Sequence, residues 1–428
     1  MSTTPSTPAA RPPLMSLDAA VAQLVEVAAR HRIVEQQTVS TMGALGRVLA
    51  QSVTSTLDVP PADNSAMDGY AMRAADVPAA GTVLPVSQRI PAGVVGQPLQ
   101  PGTAARIFTG AQVPAGADAV VMQEQCEAVA AEAGTLGQVR VLAVPAAGQW
   151  IRRRGEDVRR EAVVLSPGTR LNPQALGLAA SVGAGHLAVL RRPRVALFST
   201  GDELVMPGDM PPEQMPPGAI YNSNRFTLSA LLQAAGCEVN DLGIVADKLG
   251  ATREALKRAA EGNDLILTCG GVSVGEEDHL RPAALAEGRL DLWQIAIKPG
   301  KPLAFGAIRR EGGGETLLVG LPGNPVSSFV TYLLAVAPVL RALQGLPQGP
   351  LLALPMRADF DWPRADKRRE FLRARLTPAG TLELYPNQSS GVLTSTVWAD
   401  GLIDNPAGQT IAQGDTVRFL PLATLVMS

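Results

Sequence analysis

The sequence predicts an α/β plus β fold class. It describes an elongated multidomain chain with a doubly wound, mostly parallel α/β domain, an N-terminal helix-and-β region and a C-terminal small β-barrel. Three observations predict it. The chain has 428 residues, too many for one ordinary core, and 46% are apolar, enough to build several. Between residues 191 and 346, β-like runs alternate with helical ones, as in a parallel sheet covered by helices. On both sides of that stretch, short apolar runs sit between Gly and Pro turn signals, which is all-β character.

Residues 1–15, beginning MSTTPSTPAARPPL, read as a disordered leader without the apolar region of a secretory signal. SLDAAVAQLVEVAARH (16–31) has apolar residues at helical spacing behind a Ser16 cap. Residues 40–51 read as a second short helix. From PPADNSAMDGYAM to about residue 150 the runs GTVLPVSQRI, ARIFTG and ADAVVM read as strands, and a helix is expected near 173–182. Residues 16–190 thus form a helical linker plus a β-rich domain.

In the α/β domain (191–346) the strands are RVALFS, VNDLGIV, DLILTCG, WQIAI, PLAFGAI and ETLLVG. The helices are NRFTLSALLQAAG, ATREALKRAAEG and the long PVSSFVTYLLAVAPVLRAL. LQGLPQGP is a linker. Residues 350–428 return to short strands, as in a small barrel.

A formal net charge of -2 argues against nucleic acid as the main partner, because phosphate-backbone binding needs a basic face. No run approaches the roughly 18 apolar residues that span a bilayer. Cys126, Cys237 and Cys269 are odd in number and far apart, with no disulfide or zinc spacing; a reducing cytoplasm fits. Only five of 37 basic residues are lysine, and two of those fall within IKPGKP. That placement points to a need for a compact, movable ammonium there rather than a planar fork.

Ligands of open parallel sheets bind outside the carboxyl ends of the strands. Four polar loops fit that place: STGDEL, GGVSVGEED, KPGKP and GLPGNPVSS. Their glycines let backbone N–H groups approach an anion. The helix after Gly323-Asn324-Pro325 is expected to aim its N-terminus at that anion, with Ser327 and Ser328 adding donors. Asp202, Glu203 and Asp278 are hard oxygen ligands suited to magnesium. No GxxxxGK[ST] occurs, which excludes a P-loop, and no GxGxxG follows a strand. Read alone, each loop is also compatible with a simple tight turn.

Eight strings, taken in order, resemble the molybdopterin molybdenumtransferase (MoeA) family, which is similar to the C-terminal region of gephyrin. They are DNSAMDGYA, FTGAQVPAGADAVVMQE, RRRGEDV, FSTGDELV, YNSNR, GGVSVGEED, IKPGKPLAFG and GLPGNPVSS, spanning nearly the whole chain. The resemblance implies a magnesium-dependent enzyme of molybdenum cofactor biosynthesis, with adenylylated molybdopterin and molybdate as substrates and AMP released. It implies a cytoplasmic homodimer whose site is shared between subunits, with transfer partners in the cofactor pathway, and with neither nucleic acid nor membrane as a partner.

Carried over by motif, the resemblance assigns Asp63, Thr109, Arg152 and Asp157 from the N-terminal region, and Glu203, Asp247, Asp278, Lys298 and Lys301 from the α/β domain. Glu203, Asp247 and Asp278 would be metal ligands. Thr200, Gly201, Asp202, Gly270, Gly271, Ser273, Gly275, Pro322, Gly323, Asn324, Pro325 and Ser327 would hold the pterin substrate and its phosphates. Two departures stand out: Cys269 replaces a serine frequent in relatives, and Lys248 follows Asp247 where a second acid often stands. Two alternatives stay open at this point: a molybdopterin adenylyltransferase or related nucleotide pyrophosphatase, and a non-catalytic scaffold.

Overall fold

The computed structural model describes residues 14–129, 135–272 and 279–427. Contacts divide the chain into two units: an N-terminal unit of Thr38–Leu45 and Leu49–Val189, and a larger unit of the remainder.

Helix α1 (Leu17–Arg30) starts where the Ser16 hydroxyl accepts from Ala19 N–H at 3.2 Å, satisfying one orphan donor of the first turn. Leu17, Ala20, Leu24 and Ala28 share one face and are buried in the core of the larger unit. The helix therefore packs with the α/β sheet, not with the β-rich region that follows it in sequence. The second helix expected at 40–51 is a single 3-10 turn, Thr41–Gly43. Gly46, at φ 73°, turns left-handed and ends any helix there.

In the N-terminal unit, β1 (Gly69–Met72), β2 (Thr82–Ile90), β3 (Ala104–Ile107), β4 (Ala119–Met122), β5 (Cys126–Val129) and β6 (Gln138–Val141) form one sheet. Its order is β4-β1-β3-β2-β6-β5, antiparallel except between β2 and β3. Helix α2 (Pro173–Ser181) follows, with Asn172 capping Ala175 N–H at 2.8 Å.

The larger unit centres on β7 (Arg194–Thr200), β8 (Glu238–Val245), β9 (Leu265–Cys269), β10 (Gly288–Gln294), β12 (Pro302–Arg309) and β13 (Glu315–Leu321); β11 (Ile297–Lys298) lies outside this sheet. The order is β8-β7-β9-β13-β12-β10, and β12 alone runs against the others. Successive residues of β7 feed opposite cores. Val195 and Leu197 pack with α1 and α3 (Ser223–Ala234), whereas Ala196 and Phe198 pack with α4 (Leu249–Ala260) and α5 (Leu280–Glu287). Strands buried on both faces explain the unbroken apolar runs.

The segment Pro325–Leu343 is α6 (Pro325–Thr331), a π-turn (Tyr332–Val336) and α7 (Ala337–Leu343). By length and composition it passes the test for a membrane span, with mean hydropathy 1.7, contrary to the sequence expectation. Within the unit, however, 89% of that window is buried, as in a core helix.

The C-terminal sheet contains β14 (Leu354–Arg357), β15 (Arg369–Leu376), β16 (Leu382–Leu384), β17 (Gly401–Asn405) and β18 (Thr416–Pro421). Its path is β11-β15-β17-β18-β14, with β16 also on β15. A bridge between Ala358, just past β14, and Leu382, at the start of β16, brings the strand path round on itself, so the sheet curls into a barrel-like form closed there by a single bridge rather than by a full ladder. Strand β11, lent by the α/β region, covers the start of β15.

Leu24→Ala, which removes a fully buried side chain, is expected to cost about 2–5 kcal/mol. A urea melt of the full chain checks this; an unchanged midpoint would remove α1 from the core.

Candidate functional site

Loops from the same edge of the α/β sheet line a cleft of about 560 Å³. Thr200, Gly201 and Glu203 follow β7, Asp247 follows β8, and Gly270 and Gly271 follow β9. Lys298 and Lys301 lie in the connection from β10 to β12, and Pro322, Gly323, Asn324 and Ser327 follow β13. Gly270 sits at φ 91°, where a Cβ would collide with the Thr200 carbonyl, so the two loops touch only because glycine is present.

Other expected residues take different places. Asp202 accepts from Asp247 N–H at 3.0 Å and so braces the neighbouring loop. Pro325 lines an adjoining cavity of about 600 Å³. Ser273, Gly275 and Asp278 lie outside the described residues. Val326 N–H donates to the Ser390 carbonyl at 3.0 Å, so the α6 N-terminus is partly spent within the protein. Ser328 is not a cleft donor: its hydroxyl bonds the Pro322 carbonyl and lies 3.3 Å from Cys269 Sγ. Asn224 Nδ2 donates to the Gly323 carbonyl at 2.7 Å and approaches Cys269 Sγ at 3.1 Å. The thiol thus fills a polar niche, and burial pushes its pKa up.

The adjoining cavity shares Thr200, Glu203, Gly270, Gly323 and Asn324 with the cleft. Ser199 Oγ, Thr200 Oγ1 and Asn222 Nδ2 line it, are buried, and have no hydrogen-bond partner among the described residues. Buried polar atoms are normally satisfied, so three together mark a place for a polar ligand.

The lysine hairpin rests on the long helix. Gly300 has φ 109°, and a Cβ there would overlap the buried Thr331 hydroxyl, just before the π-turn. Lys298 Nζ lies 3.1 Å from Glu370 and 3.2 Å from Asp366. Burial works against its charge, but hydrogen bonds to Glu370 and Asp366 prevail and hold the ammonium above its ordinary range. The Arg368 fork, with Lys298 behind it, holds the Asp366 carboxyl well below the usual carboxylate range. Among the described residues Lys301 has no ion-pair partner. Arg368, Gln388, Ser389 and Ser390 also line the cleft. The sequence reading missed these C-terminal residues, since no glycine pattern or motif surrounds them. The one available signal was Asp366-Lys367-Arg368-Arg369-Glu370, a dense charge run in a small β domain.

The N-terminal unit brings its own motifs together. Asn64 and Ser65 pair in register with Arg152 and Ile151, joining DNSAMDGYA to RRRGEDV. Asp63 accepts from Arg153 Nη1 at 2.7 Å and from Arg154 N–H at 2.8 Å. The Arg154 N–H bond, with Arg153 beside it, lowers the Asp63 pKa. Thr109 is held by Asp68, which accepts from both its hydroxyl and its N–H at 2.7 Å. Asp157 is exposed, its N–H bonded to the Val59 carbonyl at 3.0 Å. Asp58 and Asp68, which grip these loops, were absent from the expected set.

The chain matches three family regions in order. Residues 15–183 match the MoeA N-terminal region (domain I and II), 196–342 the "Probable molybdopterin binding domain", and 355–422 the MoeA C-terminal region (domain IV). Fold and cleft therefore define a MoeA-type chain. A molybdopterin molybdenumtransferase of Haemophilus influenzae is 42% identical over 306 residues, covering 71% of this chain and 72% of that protein. Another, of a Nostoc species, is 36% identical over 403 residues, covering 91% and 89%. The crystal structure of a molybdopterin biosynthesis moeA protein from Pyrococcus horikoshii has a TM-score of 0.79 at 28% identity, covering 96% of this chain and 100% of that one. The chain belongs to the molybdopterin molybdenumtransferase family.

Gly300→Ala should displace the lysine hairpin at a strain cost of about 1–3 kcal/mol. Melting temperature and turnover are expected to fall together; wild-type values for both would show that the hairpin tolerates a side chain.

Proposed function

We propose that the cleft takes the phosphates of adenylylated molybdopterin, and that the chain hydrolyses the adenylyl link and places molybdenum on the dithiolene sulfurs. Family membership makes the chain a transferase of molybdenum cofactor biosynthesis. The observation that carries the substrate reading is the joining of two scarce lysines and three glycine-rich loops in one cleft, beside buried hydroxyls without partners. The cleft suits phosphate, and the adjoining cavity suits the polar rings of the same molecule.

Magnesium fits the donor set. Glu203 and Asp247 line one cleft with the unpartnered Thr200 hydroxyl. Among the described residues no three His, Cys, Asp or Glu side chains gather. Magnesium is commonly held by one or two carboxylates together with water and substrate phosphates. Asp278 would complete the set with Glu203 and Asp247. When bound, the ion would neutralise charge on the pyrophosphate oxygens.

Lys298 and Lys301 act as positioned charges on phosphate and molybdate oxygens, where negative charge grows as the pyrophosphate link breaks. A carboxylate of the cleft orients water and takes its proton. The water oxygen bonds to phosphorus as the pyrophosphate P–O bond breaks and AMP leaves; molybdate exchanges oxygen ligands for the two dithiolene sulfurs, the displaced oxygen leaving protonated as water with no change in the oxidation state of molybdenum. Asp63, Thr109, Arg152 and Asp157 act from a second copy of the chain, so the working enzyme is a cytoplasmic homodimer. Its regions are 16–190, 191–346 and 350–428.

Purified protein is incubated with adenylylated molybdopterin, magnesium and molybdate while AMP and molybdenum cofactor are followed. Both are expected in step. AMP without cofactor would leave a pyrophosphatase, and neither product would leave a scaffold. Asp63→Ala should lower turnover at least about hundredfold, the scale of a lost catalytic group, while the chain still folds and melts only slightly earlier for want of the bonds to Arg153 and Arg154. A fully active variant would remove Asp63 from the mechanism.

A further inference from the structure

The lysine hairpin is not held by the α/β domain alone. Strand β11 pairs in parallel with β15, placing Ile297 opposite Arg369 and Lys298 opposite Glu370. Glu370 is 1% exposed, and its Oε2 accepts from Trp362 Nε1 at 2.9 Å and from Asn405 Nδ2 at 3.3 Å. Its other oxygen, Oε1, faces Lys298 Nζ at 3.1 Å. A buried carboxylate needs a compensating cation, and Lys298 is the residue in register to provide it.

Asp366 is the second anchor. It lies 3.2 Å from Lys298 Nζ and takes both the backbone N–H and the guanidinium fork of Arg368 at 3.0 Å. Asp366 therefore sits between two cations that both line the cleft. An ammonium has three N–H donors. Glu370 and Asp366 use two of them, and the third is left for a ligand in the cleft.

We propose that Glu370 and Asp366 are positioning residues: they fix the ammonium of Lys298 at one point of the cleft so that it meets a substrate oxyanion without reorganising. The flexible lysine stem otherwise carries considerable rotamer entropy, which ordering on the ligand would cost at each turnover. The C-terminal sheet thus acts on the reaction through a residue of the α/β domain. This role rests on the placement of Lys298 in the site.

The test is a double-mutant cycle on the full chain, using Lys298→Met, Glu370→Gln and both together. Glutamine keeps an oxygen for Trp362 and Asn405 but turns an amide toward Lys298. Molybdate-dependent turnover of adenylylated molybdopterin is measured. Glu370→Gln alone should lower kcat about tenfold, leave KM for adenylylated molybdopterin within about twofold, and have less than about a twofold effect once Lys298 is methionine, as coupled residues do. Effects that simply multiply would overturn the positioning role, because a purely structural residue acts regardless of Lys298. Turnover untouched by Lys298→Met would instead overturn the site reading beneath it. If Glu370→Gln does not fold, Asp366→Asn carries the same cycle, with the same non-additivity expected.

Discussion

Parallel pairing of β7, β8, β9 and β13 is the constraint on which the cleft depends. Parallel strands deliver their carboxyl ends to one edge of the sheet, and there the ladder stops supplying partners for polar groups. Thr200, Asp247, Gly270 and Gly323 reach the same cleft because each follows such a strand end. β10 runs in the same direction, so its exit delivers Lys298 to that edge, and the reversed β12 starts there. One ladder direction thus gathers loops that are more than a hundred residues apart in the chain.

Polar accounting explains the rest of the cleft. Several polar groups of these loops are spent on structure: Ser328 on Pro322, Asn224 on Gly323, Asp202 on Asp247. Where they face the cavities, as at Ser199, Thr200 and Asn222, they have no partner among the described residues. Charge follows the same division. Arginine forks serve fixed ion pairs, such as Arg191 with Asp264 and Arg369 with Asp404. Two of the five lysines stand in the hairpin, where the compact ammonium of Lys298 meets two carboxylates at once.

Much of the site was legible because it is built from local patterns. STGDEL, KPGKP and GLPGNPVSS are contiguous strings at strand ends, and alternation of strand and helix identifies those ends. The helix start at Ser16 was equally readable, since a cap is a local hydrogen bond. What escaped was non-local. Arg368, Ser389 and Ser390 line the cleft from another sheet, about 70 to 90 residues beyond Lys298. The β11–β15 ladder that brings them near is two residues long on the hairpin side and has no sequence signature. Ser327 and Ser328 show the limit even within a motif: both are small, polar and adjacent, yet only Ser327 lines the cleft. Helical rotation of about 100° per residue decides which of them does.

By itself, the sequence determined the alternation of strand and helix in the α/β domain, the positions of the glycine turns and the scarcity of lysine. Those are properties of neighbouring residues and of composition. Tertiary structure decided where α1 packs, that the C-terminal sheet takes its first strand from the α/β region, and that a buried carboxylate at Glu370 holds Lys298. Each of these depends on which distant strand or helix covers a face, and burial is a property of the folded chain rather than of any one segment. The physical reason is common to all three: a ladder or a packed face joins residues by position in space, and their spacing along the chain carries no trace of it.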